Sequence, residues 1–195
     1  AGLSCPDWPT CYGKAAWPTH AEQIVDHAAT DIRPVEPSKA WREQFHRHIA
    51  AGLGLLVFAL ALLAARRRRF GLAQVIGAAA LVAIAIPLYM QGQHVASSVL
   101  VAIAEAALLW AALRWSNIDL ARTAVLTLAV IIFQAMLGMW TVTWLLKPVV
   151  VMAHLLGGLT TFSLLAWMAW RATDIPIRVG DAAKLRRLLL IGVVL

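Results

Sequence analysis

The chain has 195 residues, of which 61% are hydrophobic and only 14% charged, where a soluble domain carries about a quarter charged residues. That excludes an ordinary water-soluble enzyme and predicts an all-α, polytopic transmembrane bundle. The formal charge of +7 would suggest nucleic-acid binding in a soluble chain, but here the arginines stand in blocks beside apolar runs, so topology explains them and no nucleic acid is implied.

Residues 1–45 are polar and rich in Pro, Asp, His and Trp, which reads as an extramembrane loop. The bundle follows over 46–170, in apolar runs near the roughly 20 residues that a bilayer-spanning helix needs. A first span covers about 49–65 and stops at Arg66-Arg67-Arg68-Arg69. A second covers 70–90, with Pro87 near its end, and Gln91-Gly92-Gln93-His94 connects it to a third that ends at Leu113. After a polar link over 114–122 come a fourth span, 123–143, the Lys147-Pro148 turn and a fifth span, 149–170. A basic loop over 171–187 leads to an apolar stretch, 188–195, too short to cross a bilayer. With no initiator Met and an unfinished last run, the sequence reads as a fragment of a longer protein.

Most of the 17 Lys and Arg residues fall in 66–69, 114–122 and 171–187. The positive-inside rule puts those segments in the cytoplasm and residues 1–45 outside it. In a bacterium that is the periplasmic side of the inner (plasma) membrane. Both cysteines, Cys5 and Cys11, lie in that loop, in the stretch GLSCPDWPTCYG. Disulfides persist in such a compartment, and Pro6 and Pro9 restrict the backbone between the sulfurs. A structural disulfide is the main reading and a redox-active pair the alternative; two thiols are too few for a metal site.

Two of the six histidines stand at matched depth. His46 is at the outer mouth of the first span, and His154 is about a turn and a half below the outer end of the fifth. On neighbouring helices, with axes about 8–10 Å apart, both could approach one haem iron. Each could equally hydrogen-bond a neighbouring helix or sit among headgroups. Glu43, His46 and Arg47 share one helical face, a cluster that suits a ligand with an anionic end and also an ordinary capping and snorkelling group. His48 points elsewhere, His20 and His27 belong to no constellation, and His94 reads as an outer-turn residue. Glu105, midway through the third span, must face the bundle and find a partner or stay protonated. Gln134, Gly138 and Thr141 recur at near-helical spacing, as close helix packing requires, and Gly157-Gly158 permits either close helix contact or the approach of a flat ring.

Taken in order, AGLSCPDWPTCYG, EQFHR at 43–47, QAMLGMWTV at 134–142 and LKPVVVMAHLLGGLTT at 146–161 resemble the haem A synthase family, the COX15/CtaA-type membrane proteins. The resemblance implies an oxidoreductase that converts a methyl group of haem O to the formyl group of haem A, for terminal oxidase assembly. It implies a fold of two pseudo-symmetric four-helix bundles, of which this chain would carry the N-terminal half. Cys5 and Cys11 match the loop cysteines, and Glu43 with His46 the E-x-x-H motif. His154 matches the second N-terminal haem histidine. Glu43 would be the acid/base or charge-stabilising group, and Arg47 would lie near the haem propionates. Haem O is the implied substrate. The cofactor haem b would be held in a C-terminal half outside this sequence, leaving the fragment alone inactive. Haem O synthase and oxidase assembly factors are the implied partners, with the lipid bilayer as solvent. Residues 70–113 depart from the family pattern and read as a two-helix insertion, which keeps His46 and His154 on one side. The competing readings are a cytochrome b-like electron carrier using the same histidines, an extracytoplasmic thiol oxidoreductase acting through the cysteines, and a transporter built around Glu105 and Pro87.

Overall fold

The computed structural model describes residues 4–20 and 36–173, together with 183–184 and 186–187. Five helices long and apolar enough to cross a membrane follow one another: α1 (Pro37–Ala65), α2 (Gly71–Met90), α3 (His94–Arg114), α4 (Ala121–Thr143) and α5 (Pro148–Ala172). No strand longer than an isolated bridge occurs among the described residues. The unfinished sixth run, most of the 171–187 loop and His27 lie outside the described residues.

Two helices open on proline. Pro37 and Pro148 each occupy the first turn, where a missing N–H leaves no hydrogen bond unmade and the fixed φ is already helical. Pro37 carries α1 well beyond its apolar run, so Glu43, His46 and Arg47 are helical residues in the structure, although a polar stretch by itself reads as loop. Pro87 sits three residues from the end of α2 without stopping it before Met90.

Helices α1 to α4 close a ring, each packed on the next and α1 also on α4, while α5 packs on α4 outside that ring. The ring's core is built from small and branched residues: Val57, Ala61 and Ala65 of α1, Val75 and Ala78 of α2, Ala104, Leu108 and Ala111 of α3, Val125, Leu128 and Ala129 of α4. Alanines let the backbones approach closely, the usual basis of packing where lipid offers no hydrophobic drive. The pair α2–α3 is part of that core, and the hydroxyl of Ser97 donates across it to the Ala85 carbonyl at 2.8 Å. Outward positions such as Leu55, Leu56 and Phe162 are exposed, as lipid-facing residues are. The two helices bearing His46 and His154, α1 and α5, both pack on α4. A cavity of about 520 Å³ opens at the Arg66 end, lined by Leu60 and Leu63 of α1, Ala124 of α4, and Leu165 and Met168 of α5.

Alternating helix directions place the starts of α1, α3 and α5 at one end and the arginine block at the other. At the arginine end Arg68 pairs with Asp119 at 2.6 Å and donates to the Ser116 carbonyl at 3.1 Å. Partial burial pushes the Asp119 pKa up, but the backbone N–H of Ala121 and the Arg68 charge outweigh it and hold the carboxyl below its ordinary value. A carboxylate lowered on folding stabilises the fold fully above its unfolded pKa, and that stabilisation is lost as pH falls through the folded value. Both side chains are partly exposed. Asp119→Asn should therefore cost about 0.2–1 kcal/mol at neutral pH and nothing at strongly acid pH, read as the thermal midpoint of the detergent-solubilised protein.

Candidate functional site

The N-terminal loop is organised by one carboxylate. Asp7 accepts the N–H groups of Tyr12 at 2.6 Å and Gly13 at 2.8 Å, and the hydroxyl of Thr10. Gly13 stands at φ +72°, a conformation glycine adopts without steric cost. Cys5 and Cys11 close a disulfide, with Cα atoms 4.8 Å apart and both residues fully buried. The Cys5 sulfur lies 3.7 Å from the Ala40 carbonyl oxygen of α1. A disulfide sulfur carries no proton, so this is a packing contact.

Three side chains within little more than one turn of helix bind that loop to α1. Glu43, 7% exposed, accepts the Ser4 N–H on Oε2 at 2.8 Å and Arg47 Nη2 on Oε1 at 2.8 Å. Arg47 Nη1 donates to the carbonyls of Asp7 at 2.8 Å and Thr10 at 2.7 Å. Gln44 Nε2 donates to the Ala15 carbonyl at 2.8 Å. Glu43 and Arg47 thus face the disulfide loop and clamp it to the helix. Trp8 extends the same cap over α2, its ring 6.0 Å from that of Tyr89, which in turn lies 4.8 Å from His94. His48 donates from Nδ1 to the Gln44 carbonyl at 2.7 Å and is accounted for.

His46 and His154 are arranged differently. Neither ring has a hydrogen-bond partner among the described residues, and Nδ1 of His154 is buried and unpartnered. His46 stands close enough to act on His154 electrostatically. Gln134 of α4 donates to the His154 carbonyl at 2.5 Å. Gly138, one turn further on, faces the ring itself, and a Cβ there would stand 3.2 Å from Cε1. Thr141 donates to the Gly138 carbonyl at 2.6 Å, while Thr160 and Thr161 bond only their own helix at Leu156 and Gly157. The near-helical spacing of Gln134, Gly138 and Thr141 is thus a packing face, and it packs on the histidine. Glu105 of α3 has its Oε1 buried and without a partner among the described residues.

The COX15-CtaA family model, described as cytochrome oxidase assembly protein, matches residues 1–94 and 90–195. The chain belongs to this family. It is an integral membrane protein with the helical-bundle fold expected of it. A "Heme A synthase" of Shewanella oneidensis is 32% identical over 185 residues, an alignment covering 94% of this chain and 41% of that protein. The chain thus spans about two fifths of the length of this relative. No solved structure matches.

Two residues of the site carry partners that spacing could not reveal. Glu43 meets Ser4 across 39 positions, and Gln134 meets His154 across 20. Arg47→Leu should leave the buried Glu43 carboxylate without its ion-pair partner, at a cost near the low end of the roughly 3–5 kcal/mol for breaking a buried pair. The expected readout is faster proteolysis within 8–17 and faster reduction of Cys5–Cys11, with the spans still inserted. Unchanged rates would show that the clamp does not hold the loop.

Proposed function

We propose that the chain is the substrate-binding half of a haem A synthase, with haem O held between His46 and His154 beneath an extracytoplasmic disulfide cap. The observation that carries this reading is the pair of imidazoles at one end of the bundle, neither with a hydrogen-bond partner among the described residues. In lipid a polar ring without a partner is costly, and imidazole is a common haem ligand. The donor set fits: His46 stands close to His154, and Nδ1 of His154 has no partner among the described residues. Family membership and the likeness to a relative named heme A synthase support the same assignment.

The residues divide the work. His46 and His154 bind and orient the macrocycle, which supplies the conjugation that spreads charge from an oxidised methyl group. Apolar faces of α1, α4 and α5 exclude water. Glu43 has both oxygens occupied, by Ser4 and Arg47. Its geometry therefore favours electrostatic stabilisation of developing positive charge over proton transfer, which would need the clamp to open. Arg47 makes four hydrogen bonds to Asp7, Thr10, Gln44 and Glu43, and a propionate would have to share or displace them. Haem b, the family's expected resident cofactor, would find its ligands outside this chain, and no step here runs through it. Haem O synthase upstream and oxidase assembly factors downstream are the proposed partners, in a bacterial plasma membrane. We retain 70–113 as an inserted pair, one that completes the ring around α1 and α4.

The test is haem extraction from cells making the full-length protein together with a haem O synthase. Haem A should appear with the wild type and fall to background in His46→Ala and His154→Ala, both still inserted at normal levels. Haem A retained in either variant would remove that histidine from the site.

A further inference from the structure

Four buried side-chain polar atoms lack a partner among the described residues, and two of them lie on the α4–α5 interface: Oε1 of Gln134 and Nδ1 of His154. Their surroundings are tightly set. The Gln134 amide ties α4 to α5 through Nε2 and the His154 carbonyl, and lies so close to Gly157 that a Cβ there would overlap Oε1. Gly138 leaves room for the imidazole in the same way. One amide and two glycines thus fix the height of His154 and the plane of its ring.

The two unpartnered atoms are chemically complementary. When Nε2 binds a metal, Nδ1 carries the ring proton and becomes a donor, while the amide oxygen is an acceptor. A ligating histidine ordinarily donates its other N–H, which fixes the tautomer and makes the ring a stronger ligand. We propose that Gln134 is the positioning residue for His154: Nε2 anchors the helix at that residue, and Oε1 accepts from Nδ1–H, directly or through one water, once Nε2 is engaged. This rests on the reading of His154 as a haem ligand.

The experiment uses the full-length protein purified from cells that make haem O, and follows the haem signal that His154→Ala abolishes. A stronger acceptor at 134 gives the ring more anionic character and favours the oxidised metal; no acceptor does the reverse. Gln134→Glu should therefore lower the midpoint potential of that haem and Gln134→Leu raise it. Each change should be about tenfold in the reduction equilibrium, or about 59 mV for one electron. Gly157→Ala, which displaces the amide, should reproduce Gln134→Leu and add nothing to it in the double variant. A merely structural role would move stability, or move both potentials the same way. If Gln134→Leu fails to insert, Gln134→Glu and Gly157→Ala must still shift in opposite directions. A His154-dependent signal whose potential ignores these variants overturns the positioning role alone. A wild type with no such signal overturns the haem reading, and this proposal with it.

Discussion

The α4–α5 contact at Gln134 is the constraint on which the rest of the molecule's chemistry depends. Inside a bilayer a side-chain amide has no water to turn to, and its bond to the His154 carbonyl sets how far α5 slides along α4. α5 has little else to fix it, since it packs on α4 outside the closed ring and is the least buried of the five spans. A helix held mainly by apolar contact can slip by a turn at small cost. A helix held by an amide seated against Gly157, with an imidazole against Gly138, has one register, and that register gives His154 its depth.

His46 gets its depth from the opposite kind of interaction. α1 runs on past its apolar stretch to Pro37, and the disulfide loop grips this extension through Ser4, Asp7, Thr10 and Ala15. Water-side polar contacts hold one imidazole and bundle-side contacts hold the other. The disulfide therefore belongs to the site in a mechanical sense, because it stiffens the loop that caps α1. It also explains why Glu43 and Arg47 stand beside His46 while turning toward the loop.

Much of this was legible in the sequence, and the parts that were not share a cause. Five spans and their common outer end follow from apolar length and arginine placement, because lipid punishes each misplaced charge separately. The outer part of α1 was hidden, since Glu43 and Gln44 are buried under the loop and not in lipid, so their polarity resembled a loop. His46 and His154 could be singled out as two rings at matched depth near the lipid boundary. The α4 face could be read only as generic close packing, because what makes Gln134 and Gly138 specific is a residue on another helix.

The central claim is spatial: two imidazoles on α1 and α5, at one depth and facing one gap. Intramolecular cross-linking of His46→Cys with His154→Cys in the full-length protein tests it most directly. The assay uses native membranes and a short bismaleimide, with Cys5 and Cys11 left in their disulfide. The account predicts an efficient cross-link that joins the fragments after cleavage between α1 and α5, and that haem O occupancy suppresses. Two cysteines that each react but never with one another, or that label from opposite sides of the membrane, would contradict it.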